Sequence, residues 1–171
     1  VGQILTRVGP FPVTRETSAR IAIKRAARML KDDELVGILP EGTRRGKGSK
    51  IPSLHAGAAF IAKMGKAPLL PMTVRNAEYV KQKGQRIHFP KITVEYGSPV
   101  VLSDFDFLPK ADRLEGCTWY AMRECFALSR QITAEEVDMV SLFPETRDYA
   151  EIFRDNPIPV RTPAEAIAAC R

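Results

Sequence analysis

Cysteine and histidine are scarce in this sequence: three Cys and two His in 171 residues. Cys117, Cys125 and Cys170 form no C-x-x-C pair and have no His nearby. A metal site needs a tighter cluster, and an odd count argues against a disulfide framework. The thiols read as buried or indifferent groups in a reducing cytoplasm, and neither a metal nor a cofactor is expected. Long apolar runs are also missing. No stretch approaches the ~18 residues of a membrane-spanning helix, and the opening VGQILTRVGP carries no signal-peptide pattern. The phosphate-cradling G-x-x-x-x-G-K-[ST] and G-x-G-x-x-G patterns are absent too, so nucleotide binding gains no support.

What is present suits an ordinary folded domain. Hydrophobic residues make up 44% and charged residues 27%, which excludes a disordered tail or a fibre. The net charge of +6 is uneven. Residues 1–110 hold 19 Lys/Arg against 9 Asp/Glu, and residues 111–171 hold 7 against 11. The basic part would attract phosphates, an anionic membrane surface or nucleic acid; a merely solvated basic face explains it equally well. Nucleic-acid binding lacks interleaved aromatics and any basic motif, so no nucleic-acid partner is expected.

Along the chain, VGPFPVTR at 8–15 reads as extended, because two prolines block a helix. A helix is expected over 17–31, with Ala19, Ala22, Ile23, Ala26 and Leu30 on its apolar side. Arg20, Lys24, Arg28 and Lys31 line its opposite side. Leu35–Leu39 reads as a short buried strand, followed by the polar loop PEGTRRGKGSK. A second helix spans about 53–64, with Gly65 as its terminating glycine. Strands are expected over 67–74, 86–89 and 91–96, the last by the alternation of Ile92, Val94 and Tyr96. This order predicts an α/β fold with a central mixed sheet flanked by helices. A third helix covers about 111–131, with Leu114, Trp119 or Tyr120, Met122, Phe126 and Arg130 around it, and Trp119 and the aromatics near it read as core. Two capping-box patterns, Thr133–Glu136 and Thr162–Glu165, predict short helices at 134–140 and 163–170. The expected division is a domain over 1–131 and a C-terminal extension over 132–171.

The loop after Leu39 is the richest in chemistry. Pro40 halts the strand, Glu41 stands at its carboxyl end, Gly42 permits a tight turn, and Thr43, Arg44 and Arg45 offer donors. Ligands of α/β sheets bind at strand carboxyl ends, and a guanidinium holds a phosphate through two parallel bonds. A solvated basic turn is the plain alternative. Arg15, at the end of the 8–15 segment, would converge on the same anion if that segment neighbours Leu35–Leu39. Otherwise it is a surface residue.

Four ordered blocks carry a family resemblance. GPFPVTR at 9–15 resembles the G-x-[IF]-x-[VI]-x-R block of the glycerolipid acyltransferases of the lysophosphatidic acid acyltransferase type. LPEGTR at 39–44 resembles that family's F-P-E-G-T-R-S block, with Leu39 for Phe and Arg45 for Ser. LHAG at 54–57 sits where the family often has F-K-x-G, and PLLPM at 68–72 is similar to its V-P-[IV]-[VI]-P-V block. The resemblance covers residues 1–102 and does not extend to the last forty.

It implies a glycerol-3-phosphate acyltransferase-like fold. The implied reaction moves an acyl group from acyl-CoA or acyl-carrier protein to the hydroxyl of a lysophospholipid. Arg15, Glu41, Gly42, Thr43 and Arg44 would bind the acceptor's phosphate. The family's catalytic base is the His of an H-x-x-x-x-D block that precedes these motifs; a neutral imidazole suits the task. Neither His here heads such a block, since Phe60 stands five after His55 and Thr93 five after His88. The expectation is that the block lies upstream of Val1. No catalytic residue then falls in this chain, which alone is inactive. Such an enzyme would work peripherally on the cytoplasmic side of a membrane, the basic stripe facing anionic lipid. The alternative is a non-catalytic phosphate- or membrane-surface-binding module that has lost its base.

Overall fold

The computed structural model describes residues 19–39, 54–80, 84, 86 and 88–170. Helix α1 (Ala19–Lys31) keeps the expected basic stripe, Arg20, Lys24, Arg28 and Lys31 being exposed, but of its expected apolar side Ala22 and Ala26 are buried and Ile23 and Leu30 half-buried, while Ala27 is buried as well. Its end is marked by Asp33, which takes a left-handed φ of 60°. Helix α2 (Gly57–Gly65) packs against α1 and buries Ala58, Ala59, Ala62 and Gly65. Gly65 is not the terminator expected of it. Lys66 takes the left-handed turn, at φ 53°, and its N–H donates back to the carbonyls of Ala62 and Lys63. Gly65 instead lets the helices touch, because a Cβ there would stand 2.6 Å from Leu30 Cβ.

Leu35–Leu39 is corrected more sharply. This segment is not a strand, and Leu35 and Leu39 are 93% and 89% exposed. An apolar run becomes a buried strand only by pairing. The strands that pair among the described residues are β1 (Met72–Arg75) and β2 (Thr93–Tyr96), and they pair with each other. Their ladder is antiparallel, Thr73 opposite Glu95 and Val74 opposite Val94, and a bridge between Leu69 and Val100 prolongs it. Of the expected 67–74 strand only the end is regular, and the described residues of 86–89 form no strand. The architecture described is thus a small antiparallel sheet with helices, compatible with an α/β fold.

The sheet is turned contrary to its hydrophobic pattern. Met72, Val74, Ile92, Val94 and Tyr96 are exposed, whereas Thr73 is buried. Arg75 and Glu95 pair on the less exposed face. Helix α3 (Arg113–Arg130) lies against β1 and α2, and it occupies the side that the alternation of Ile92, Val94 and Tyr96 would have claimed.

The core is built around α3. Trp119, 2% exposed, meets Tyr149 and Phe153 with ring centroids 6.0 and 5.5 Å apart. Phe153 also makes edge contacts with Phe105 and Tyr120. Gly116 makes room for Leu108, since a Cβ there would meet Leu108 Cδ1 at 2.6 Å, with the Tyr149 and Phe153 rings at 3.4 and 3.5 Å. The C-terminal residues supply much of this cluster: Val137, Met139, Leu142, Phe143, Tyr149, Phe153 and Ile158 share one core with Leu54 and Ala59.

Both capping boxes form. Thr133 N–H donates to Glu136 Oε2 at 2.8 Å and Thr162 N–H to Glu165 Oε2 at 2.8 Å. The first opens a short 3₁₀ turn at Ala134–Glu136, not a helix over 134–140; helix α4 (Met139–Leu142) follows it. Helix α5 (Ala150–Asp155) has no counterpart in the sequence reading. The second box opens α6 (Pro163–Cys170), with Pro163 at its first position as expected. Arg161 clamps this end of the chain to the half-buried Asp104, Nε donating to Oδ2 at 2.9 Å.

Candidate functional site

Arg15, Glu41, Gly42, Thr43 and Arg44 all lie outside the described residues. What the structure describes is the chain on either side of them in sequence. Helix α1 begins shortly after Arg15, the exposed segment 34–39 runs up to Pro40, and Leu54 leads the chain back into α2. Leu54 is buried and anchors this return in the main core. The two helices that flank the loop in sequence are held against each other at the Leu30–Gly65 contact.

The described residues that precede this loop in sequence are cationic and apolar at once. Arg20, Lys24, Arg28 and Lys31 are exposed, Arg28 reaching Asp32 at 3.8 Å, and Ile21, Leu35 and Leu39 are exposed beside them in sequence. Such a surface combines charge attraction for anions with apolar area that gains from leaving water. Among the described residues no helix is long and apolar enough to cross a membrane, and no group of His, Cys, Asp and Glu could hold a metal ion.

The two histidines stand on exposed positions, His55 just before α2 and His88 before β2. Cys117 is no nucleophile: burial, with smaller contributions from Asp104 and Cys170, pushes its thiol up to about 12, and the thiolate is the reactive form. Burial raises Cys125 and Cys170 as well. Glu136 and Glu165 are held below the usual carboxylate range by the backbone and hydroxyl of Thr133 and Thr162, which marks them as caps and not as acids. Trp119, which sequence placed in the core, is there.

Sequence reasoning missed Arg123. It is buried, and its guanidinium lies 4.8 Å from the Tyr120 ring centroid and 5.6 Å from that of Trp119. The available signal was spacing: an Arg three and four residues after two aromatics on a helix can stack on both.

Comparison with known proteins bears on residues 1–75, which match the family described as Acyltransferase. A 1-acyl-sn-glycerol-3-phosphate acyltransferase of Bacillus subtilis (strain 168) is 36% identical over 118 residues, 69% of this chain and 56% of that protein. One from Streptococcus pneumoniae (strain ATCC BAA-255 / R6) is 32% identical over 97 residues, 56% of this chain and 34% of that protein. The chain thus spans about half the length of the first relative and a third of the second. No solved structure matches it significantly. The residues that match the acyltransferase family, 1–75, contain Arg15 and the Glu41–Arg44 loop.

Proposed function

We propose that this chain is part of an enzyme that moves a fatty acyl group from acyl-CoA or acyl-carrier protein to lysophosphatidic acid. One observation carries the reading: the family match, over residues 1–75, spans both the Arg15 block and the PEGTR loop. In that reaction the acceptor hydroxyl attacks the thioester carbonyl, a base takes the hydroxyl proton, and the thiol leaves. Within the proposed site Arg15 and Arg44 hold the acceptor's phosphate, Glu41, Gly42 and Thr43 shape the loop around it, and a larger mixed sheet positions both. The proton needs a base that this chain does not offer, since neither His55 nor His88 heads an H-x-x-x-x-D block. The 171-residue chain alone is therefore expected to show no turnover, and acyl transfer by it would refute that assignment.

The deciding experiment is Arg44→Ala in a protein that joins this chain to an H-x-x-x-x-D block. Charge-assisted bonds are worth roughly 1.5–3 kcal/mol, so kcat/KM for lysophosphatidic acid should fall about ten- to a hundredfold. Lys at this position should recover only part, because an ammonium lacks the planar two-point contact. The donor KM should hold. A raised donor KM with unchanged acceptor use would assign the loop to the donor instead.

The enzyme so read works on amphiphiles and hence at a bilayer surface, peripherally on the cytoplasmic side. The exposed stripe of α1 supports this, each cation contributing about 1 kcal/mol on an anionic leaflet. Sedimentation with anionic vesicles should exceed that with neutral ones and fade with salt. Equal, salt-insensitive sedimentation would count against it. A non-catalytic phosphate-binding module is the second reading, favoured by the same lack of a base. Turnover by the joined protein excludes it.

A further inference from the structure

The outward face of the β1–β2 sheet is apolar and open. Met72 stands opposite Tyr96 and Val74 opposite Val94, so these four side chains share one face, and Ile92 continues their row by alternation. All five are between 44% and 60% exposed. The single carboxylate of the two strands, Glu95, pairs with Arg75 on the other face. A contiguous apolar face on a folded chain marks an interaction site.

The turn end of this face is aromatic and cationic. Phe89 is 94% and Tyr79 50% exposed, and Arg86, His88 and Lys91 are exposed with them. Two bonds hold that end to the strands: Asn76 Nδ2 donates to the Lys91 carbonyl at 3.0 Å, and the His88 N–H to that of Val80 at 2.9 Å. In sequence, residues 76–91 carry Lys81, Lys83, Arg86 and Lys91 against Glu78 alone. Apolar area bordered by aromatic rings and by Lys and Arg is the composition that settles at the boundary between lipid head groups and acyl chains.

We propose that this face docks on an anionic bilayer, with Val74, Ile92, Val94 and Tyr96 entering the boundary and Arg86 and Lys91 meeting the lipid phosphates. Charge selects this occupant. A second copy joined through the same face would bring the same cations to the contact, with no outward carboxylate of the strands to answer them. An anionic leaflet supplies acyl chains for the apolar row and negative charge for its cationic end. The inference rests on the reading of an enzyme that works at a bilayer surface, and it names a contact other than the stripe of α1. The stripe draws on charge, which salt screens, whereas the sheet face draws mainly on apolar burial, which salt does not screen.

The 171-residue chain is sedimented with vesicles of phosphatidylcholine and with vesicles of equal parts phosphatidylcholine and phosphatidylglycerol, at low salt and at about 1 M salt, where charges are screened within about 3 Å. Part of the binding to the mixed vesicles should survive the salt. Phe89→Ser together with Val94→Ser should lower partitioning onto both vesicles at least about tenfold at either salt, with the melting temperature unchanged. Should that pair fail to fold, Phe89→Ser alone decides: at 94% exposure the ring supports no packing, and its loss should still weaken partitioning several-fold. Arg20→Gln with Lys24→Gln should act on the anionic vesicles at low salt alone; no effect there would refute the stripe of α1 and leave the sheet contact standing. Serine variants that partition like the unaltered chain would overturn the proposal, as would binding wholly lost at about 1 M salt. A dimer that the serines dissolve while partitioning stays unchanged would assign the face to a second copy instead.

Discussion

Helices α1 and α2 meet through alanines and one glycine, whereas α3 meets the C-terminal helices through rings. In the first region, in and beside these two helices, Ala22, Ala26, Ala59 and Ala62 are buried while Ile21, Leu35, Leu39 and Phe60 remain exposed. In the second, Phe105, Trp119, Phe143 and Tyr149 are almost fully buried and Phe153 touches five rings. An aromatic side chain buries about 150–250 Å², several times what an alanine methyl can. The family match and the stability therefore reside in different parts of the chain. Residues 1–75 carry the acyltransferase match, and the described core that holds the molecule together lies mostly after residue 97.

The comparison breaks if the two regions respond alike to truncation. Trp119→Ala should lower stability by about 3–5 kcal/mol, read from the denaturant midpoint. Leu39→Ala should change it by less than about 0.5 kcal/mol, as at an exposed site. Similar losses from both would show that Leu39 is buried after all.

A smaller effect tests how α1 and α2 touch. Gly65→Ala places a methyl against Leu30 Cβ, part of a helix that cannot swing aside as a side-chain tip can. It should cost about 1–3 kcal/mol. Gly57→Ala, with open space around the added carbon, should be neutral or slightly stabilising by helix propensity. Equal melting temperatures for the two variants would remove Gly65 from the contact.

The smallest expected effect is a pH dependence from the second region. Cys117 ionises near 9 when exposed and at about 12 in its buried place. Above pH 9 the unfolded chain therefore releases a proton that the folded chain keeps, so stability falls as pH rises. Between pH 9 and 10 the loss is about 1 kcal/mol. Cys117→Ala should flatten that slope, and an unchanged slope would mean that the thiol is not so confined.

Short-range features were legible in the sequence. The basic stripe of α1 and the span of α3 follow from periodicity. The boxes at Thr133 and Thr162 follow from side chains that reach only three residues along the chain. The candidate site was legible as motif alone: Arg15 and Glu41–Arg44 stand in blocks that the family match covers, and their arrangement lies outside the described residues. Gly65 was misread because glycine serves equally to end a helix and to admit a neighbour. Only the position of Leu30 tells which.

By itself the sequence determined what depends on near neighbours and on motif: helix faces, caps, the uneven charge and the acyltransferase blocks. Tertiary structure decided what depends on a distant partner. Leu35–Leu39 is exposed because no described strand pairs with it, and the alternation of Ile92, Val94 and Tyr96 faces outward because α3 lies on the other side. Arg123, polar by composition, is buried because rings brought from residues 119 and 120 flank it and the C-terminal helices close over that surface. Hydrophobic pattern states which residues gain from burial, but which of them are buried is settled by which surfaces meet.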